Sequence, residues 1–193
     1  MRLFHVSEEP DIARFVPRIP LRDDLDKSKG LVWAIDERHL PNFFTPRECP
    51  RVTYHVGEQT TEEDIARFFS SSHRWCVAIE HAWFERMRCT PLYIYEFDPA
   101  NFYLQDACAG NYVSEQTETP IGKTRLDDLF GALFKRNIEV RLIDNLWVLR
   151  DAVVNSSLNF SICDMWNAQA RKAPFAREGG GRRPVGAIND PLI

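Results

Sequence analysis

A histidine and a serine near the start of the chain have the spacing of a small hydrogen-bonding site. His5 and Ser7 lie two residues apart in and just after the apolar segment Leu3–Val6, and alternate residues of a β-strand point to the same face. An imidazole and a hydroxyl side by side can hold a vicinal diol or an amide. The alternative interpretation is a core histidine with satisfied hydrogen bonds, with Ser7 capping the turn that follows.

A second group of reactive side chains surrounds a cysteine in a loop rich in proline. Arg47 and Arg51 flank Cys49, and two guanidinium groups pointing at a thiol would lower its pKa. His55 is close enough in sequence to serve as a base, which would make Cys49 the nucleophile of a hydrolase. The alternative is a rigid loop with a buried cysteine, in which both arginines pair with acids or with an anionic ligand.

A third pattern is the i, i+4 pair of His81 and Glu85 on a predicted helix. This spacing can hold a divalent metal, but the second histidine of such a motif is missing. The pair is therefore read as an exposed polar face, and no metal site is predicted. The sequence also lacks both a GxGxxG fingerprint and a GxxxxGK[ST] loop, so neither a Rossmann site nor a P-loop is expected.

The composition indicates one globular domain. The chain has 193 residues, of which 44% are hydrophobic and 27% charged. This size suits a single domain, predicted over residues 1–172, followed by a flexible tail over 173–193 that contains Gly179–Pro184. A net charge of -4 argues against a general nucleic-acid binder, which usually has a basic excess.

Cysteine usage and hydropathy bear on location. The five cysteines form no CxxC pair, which favours reduced thiols and a cytoplasmic protein. No apolar run approaches the roughly 18–20 residues of a membrane-spanning helix, so no membrane partner is expected. The N-terminus reaches charged residues too early for a signal peptide.

The elements that must position these residues are short. About seven strands with irregularly inserted helices predict an α+β fold: a single domain with a mixed or antiparallel sheet. Thr60 and Glu63 form a predicted capping box for a helix over Glu62–Phe69. Apolar residues at helical spacing predict a longer helix over Arg125–Arg136, and Cys163–Arg171 is expected to be helical as well.

Several motifs also resemble those of known families. The chain is similar to a small family of uncharacterised proteins, on five segments: Leu3–Glu8, Trp33–Glu37, Pro46–Val52, Leu92–Phe97 and Phe160-Ser161 with Asn167-Ala168. Its opening, with Phe15-x-Pro17-Arg18 and the strand Val32–Asp36, also resembles the start of an ADP-ribosyltransferase-type domain. That second resemblance implies an ADP-ribosyltransferase-like fold, with NAD as the ligand.

The same resemblance implies roles for individual residues. His5 would bind the ribose of NAD with Ser7 beside it, and Arg18 would contact the pyrophosphate. Tyr112 would supply an aromatic ring, and either Glu115 or Glu118 would stabilise the cationic sugar. Independently of the resemblance, the proline-rich loop makes Arg47 and Arg51 further candidates for contact with an anionic ligand. Tyr54 is the nearest candidate for the superfamily's middle aromatic residue.

The expected function is therefore binding of NAD or a related nucleotide, with transfer of ADP-ribose to an unknown acceptor. Two alternatives remain open. One is a binding module for a nucleotide-like small molecule or another anion, without catalysis. The other is the hydrolase that depends on Cys49.

Overall fold

Two β-sheets form the framework of the computed structural model, which describes residues 1–20, 26–69 and 72–171. The described strands are, in chain order, β1 (Leu3–Ser7), β2 (Val32–Asp36), β3 (Arg51–His55), β4 (Trp75–Glu80), β5 (Leu92–Phe97), β6 (Tyr103–Asp106), β7 (Asn111–Ser114), β8 (Gly122–Leu126), β9 (Glu139–Ile143) and β10 (Asn159–Cys163). The first sheet is antiparallel throughout, in the order β6–β7–β2–β1–β5–β8. The second has the order β10–β3–β4–β9, and its β4–β9 pair is parallel.

Helices occupy the connections between these strands. The four α-helices of the described residues are α1 (Glu62–Phe68), α2 (Phe84–Cys89), α3 (Leu129–Phe134) and α4 (Trp147–Val154), with 3-10 turns at Leu40–Phe43, His81–Trp83, Pro99–Asn101 and Met165–Asn167. In the parallel β4–β9 pair, α2 and α3 lie within the connection between the two strands. No helix among the described residues has the length and apolar character needed to cross a membrane.

The core is divided into three apolar layers because each sheet is covered on both faces. Between the two sheets, Phe4 and Ile35 of the first pack in one cluster with Val77 and Ile79 of the second. The far face of the second sheet, which includes Tyr54, packs against α1 and α4. The far face of the first sheet is covered by Phe15, from the segment after β1.

The expected α+β class, with antiparallel and mixed sheets in one domain, is confirmed, but several local predictions are wrong. Residues 122–126 form β8, and α3 begins only at Leu129, because the Asp128 side chain caps it by accepting from the Gly131 amide. The helix expected over Cys163–Arg171 is reduced to one 3-10 turn.

The first helix begins at Glu62, as predicted, but the residue predicted to cap it is wrong by one position. Thr61, not Thr60, caps α1 and accepts from the Asp64 amide. Thr60 instead accepts from the Gly57 amide and donates to the Ser157 carbonyl. The tail predicted over 173–193 lies outside the described residues.

Candidate functional site

The strand β1 places His5 and Ser7 on the far face of the first sheet, which we call the His5 face. Both side chains are half-buried. The cross-strand partner of His5 is Tyr95 of β5, and the ring of Phe15 packs against the imidazole with centroids 4.8 Å apart. Ser7 accepts a hydrogen bond of 3.0 Å from the Glu9 amide, so its hydroxyl hydrogen is available for a further acceptor.

The hydrogen bonding of His5 fixes what its imidazole can offer to a ligand. Nδ1 lies 2.9 Å from the carbonyl oxygen of Trp33, and because a carbonyl only accepts, Nδ1 carries the hydrogen. Burial lowers the pKa of His5, and the nearby positive charge of Arg18 lowers it further, against the opposing effect of the Trp33 carbonyl. The ring is therefore neutral at pH 7, and Nε2 presents a lone pair that accepts a hydrogen bond.

The segment 15–18 brings Arg18 close to His5 because its backbone is tied down at both ends. Phe15 exchanges two hydrogen bonds with Glu118, of 2.8 and 2.9 Å, and Arg18 exchanges two with Leu31, of 3.1 and 2.9 Å. The guanidinium of Arg18 makes no hydrogen bond or ion pair with any other described residue. It is an exposed cation without a counterion among the described residues, and its charge acts on a neutral histidine.

Glu118 is a buried carboxylate on the same side of the molecule. It is 6% exposed, and its backbone pairing with Phe15 places it beside the residue that packs on His5. Oε1 accepts a 2.5 Å hydrogen bond from the hydroxyl of Ser114, which is itself fully buried. No lysine or arginine of the described residues pairs with Glu118, so its negative charge is not neutralised by an ion pair.

Glu115 has a different environment. Its carboxylate is exposed, lies 2.8 Å from Nζ of Lys29, and accepts a 3.2 Å hydrogen bond from Tyr103. The Lys29 hydrogen bond holds the pKa of Glu115 below its usual value. The two candidate acids are therefore separated by the fold into a surface ion pair and a buried carboxylate.

Two open concavities each have one residue of the His5 face in their lining. The first, of about 370 Å³, is lined by Tyr95, the cross-strand partner of His5. The second, of about 470 Å³, is lined by Tyr112 together with Arg2 and Arg38. His5 lines neither of the two, so Tyr112 and His5 share a sheet face without sharing one of these hollows. Tyr54 is fully buried, in the core layer beneath α1 and α4.

The arginines of the proline-rich loop have separate environments. Arg51 is buried and donates to the carbonyls of Asn42 and Cys49 and to Oδ2 of Asp164, over 2.8–3.1 Å. Its guanidinium is thus engaged by protein acceptors. Arg47 has an exposed side chain, with Glu48 4.0 Å away.

The environment of Cys49 weighs against a reactive thiolate. The residue is fully buried, and burial raises the pKa of its thiol to about 12, more than the neighbouring Arg51 lowers it. At pH 7 the sulfur is protonated and a poor nucleophile. His55, proposed from sequence as its base, instead stacks on Trp75, with ring centroids 4.0 Å apart.

The pair of His81 and Glu85 does not extend to a metal-binding group. His81 lies in the 3-10 turn before α2, and Glu85 pairs with Arg88 at 3.3 Å. Nowhere in the described part of the chain do three or more His, Cys, Asp or Glu side chains gather as metal ligands.

Sequence reasoning assigned no role in the site to three residues that shape the His5 face. Phe15 covers the imidazole, Ser114 holds Glu118, and Tyr95 links β5 to the segment after β1 by accepting from the Ile12 amide and donating to the Glu9 carbonyl. Ser114 and Glu118 are only four residues apart, so a contact between the two side chains could have been considered from the sequence. The position of Phe15 follows from its pairing with residue 118, for which no local pattern exists.

The protein is an α+β domain of two packed sheets, and His5 is half-buried on the outer face of the first sheet. The chain belongs to a family of unknown function (DUF6886), whose model matches residues 4–168. This agrees with the expected relationship to an uncharacterised family. No curated protein and no solved structure matches the chain.

Proposed function

We propose that the chain binds NAD or a related nucleotide on the His5 face and transfers its ADP-ribose to an acceptor. The observation that carries this proposal is the hydrogen bond from His5 Nδ1 to the Trp33 carbonyl. It leaves a neutral Nε2 acceptor near the Arg18 guanidinium, which is unpaired among the described residues. An acceptor and a guanidinium suit a sugar hydroxyl next to a phosphate.

Each of the three side chains has one role in this proposal. Nε2 of His5 accepts a hydrogen bond from a ribose hydroxyl, and the Ser7 hydroxyl lies on the same face to assist it. The Arg18 guanidinium pairs with the pyrophosphate. The carboxylate of Glu118 stabilises the positive charge that develops on the ribose in the transition state.

The proposed transfer has a simple balance. The bond between ribose C1′ and the nicotinamide nitrogen breaks, and nicotinamide leaves with the bonding electron pair. A lone pair of the acceptor forms the new bond to C1′, and the proton of the acceptor passes to water. The protein acts by position and charge, because it holds the sugar and the stabilising carboxylate in fixed relation.

Among the two acids, the contacts support Glu118 as the residue that stabilises the sugar. A buried carboxylate without a cationic partner has a strong interaction with a developing positive charge, since little solvent screens it. Glu115 is already neutralised by Lys29 and is exposed. The protein is further proposed to be cytoplasmic, which its five free thiols support.

Calorimetry with NAD tests the binding half of the proposal. The unaltered chain should bind NAD, and Arg18→Ala should weaken binding by roughly 10- to 100-fold because a charge-assisted contact is lost. Arg14→Ala is the matched control, since Arg14 is an exposed arginine directly before the segment 15–18, and it should leave the affinity unchanged. Absence of any NAD binding by the unaltered chain would contradict the proposal.

Release of nicotinamide tests the catalytic half. Glu118→Gln should reduce turnover by about 100-fold or more while NAD still binds, whereas Glu115→Gln should retain turnover. Equal loss in both variants would remove the assigned role of Glu118. Binding by the unaltered chain without any turnover would identify a non-catalytic nucleotide-binding module.

A further inference from the structure

A cluster of three rings, two of them buried and one partly buried, joins the two sheets at a point away from the His5 face. His39 follows β2 of the first sheet, and His55 ends β3 of the second; their ring centroids are 5.2 Å apart. Trp75 of β4 completes the cluster by stacking on His55, with an interplanar angle of 9°. We call these three residues the histidine junction.

Both histidines are almost fully buried, and each has a defined partner. Nδ1 of His39 lies 2.8 and 2.9 Å from the two carboxylate oxygens of Asp36. Nε2 of His55 lies 3.4 Å from the amide nitrogen of Asn159, which can only donate, so Nε2 is an acceptor and the ring is neutral. The two histidines are 6% and 2% exposed.

The surroundings of His55 oppose a positive charge on it. Among the charged and titratable groups that act on it, His39 and Arg38 disfavour the protonated form, and Asp36 favours it more weakly. The strands β4 and β10 contribute Trp75 and Asn159, which carry no charge. Burial is the largest effect, and together these lower the pKa of His55 to about 4.

We infer that the histidine junction is an acid-sensitive latch between the two sheets: it is closed while His55 is neutral and opens when His55 takes up a proton. Protonation places a positive charge on a ring that is 2% exposed, where burial and the neighbouring His39 and Arg38 all oppose that charge. It also turns Nε2 into a donor that faces the Asn159 amide, itself a donor at 3.4 Å. The charged ring is therefore poorly solvated and has lost its hydrogen bond, so the contact across the sheets is lost.

The direction of the pH effect follows from the lowered pKa. In the unfolded chain His55 has an ordinary pKa near 6.5, whereas in the folded chain its pKa is about 4. Between these two pH values the unfolded chain therefore binds a proton that the folded chain does not bind. The contribution of His55 to stability is therefore complete above about pH 6.5 and is lost as the pH falls. By pH 4 this lowers the folding equilibrium constant by roughly 150-fold relative to pH 7.5.

Urea unfolding between pH 7.5 and 4 tests this contribution. Carboxylates also lose stability in acid, so the informative quantity is the ratio of folding constants between the unaltered chain and His55→Gln. That ratio should fall by roughly 150-fold between pH 7.5 and 4, whereas the exposed His81→Gln should give a constant ratio. A constant ratio for His55→Gln would overturn the inference.

Two measurements on the unaltered chain keep the test decisive if His55→Gln does not fold. The Cε1 proton resonance of His55 should titrate well below pH 6. Amide exchange, corrected for the intrinsic rate, should accelerate in acid at Asp36 and His39 before it does so at Leu133 in α3. An ordinary titration near pH 6.5, or uniform acceleration at all three amides, would show that no local latch exists.

Discussion

Arg51 is a buried charged residue whose removal should strongly destabilise the fold. Its side chain is 6% exposed and forms an ion pair of 2.8 Å with Asp164, in addition to its bonds to two backbone carbonyls. Removing one partner leaves the other charge poorly solvated. We expect Arg51→Ala to lower the free energy of unfolding by about 3–5 kcal/mol, measured by urea titration.

Arg47 is a matched control for this prediction, because it is an arginine of the same loop with an exposed side chain. Arg47→Ala should change the free energy of unfolding by less than about 0.5 kcal/mol. A small effect of Arg51→Ala would indicate that the pair with Asp164 is not formed in solution. A stability loss in that variant would also explain lost activity without any contact between Arg51 and a ligand.

At the scale of elements, the turn between β6 and β7 depends on a glycine. Gly110 has a φ of 70°, and a Cβ at this position would overlap the ring of His39. The positive φ alone costs about 1–2 kcal/mol for alanine, and the overlap adds to it. Gly110→Ala should therefore destabilise the protein by at least about 2 kcal/mol in thermal or urea unfolding.

Gly122 in the edge strand β8 is the control for Gly110. A Cβ at Gly122 would lie 3.7 Å from Cβ of Glu96, an ordinary contact, so Gly122→Ala should change stability by no more than about 0.5 kcal/mol. Equal effects of the two substitutions would mean that Gly110 does not require its left-handed conformation.

The errors of the sequence analysis are also clearest at this scale. The helical spacing of Leu126, Leu129 and Phe130 predicts one helix, but Leu126 pairs with Leu92 of β5 and belongs to a strand. Periodicity cannot identify a strand that lies before a capped helix when one apolar residue fits both patterns. The strand β6 was missed because three of its four residues are exposed, so it lacks a buried face.

The candidate site was predictable only in part, because local sequence patterns do not show which distant segments pair with each other. His5, Arg18 and Glu118 were each named from sequence, yet their relation depends on the pairing of residue 15 with 118 and of residue 18 with 31. These pairings link positions far apart in the chain. The sequence did not show that Glu118 is buried while Glu115 forms an exposed ion pair with Lys29. Both are acids in the same short segment, and no local pattern distinguishes them.

Two core layers of the molecule each contain a buried cysteine. The rates at which the two thiols react with a reagent therefore show whether the two layers unfold together. Cys49 lies between the sheets, and Cys76 lies under α1 and α4. Both are fully buried, and burial raises the pKa of each thiol to about 12. Cys89 is exposed and should react with a thiol reagent at once.

We expect Cys49 and Cys76 to react only through opening of the fold, because neither thiolate forms in the native core. If the two sheets and their helices are one cooperative unit, both residues should be alkylated at the same rate in every urea concentration below the unfolding midpoint. Peptide mass spectrometry after pulsed alkylation measures the two rates separately, with Cys89 as the internal reference. Faster reaction of Cys76 would show that the layer of α1 and α4 separates first, and rapid native reaction of Cys49 would restore the hydrolase alternative.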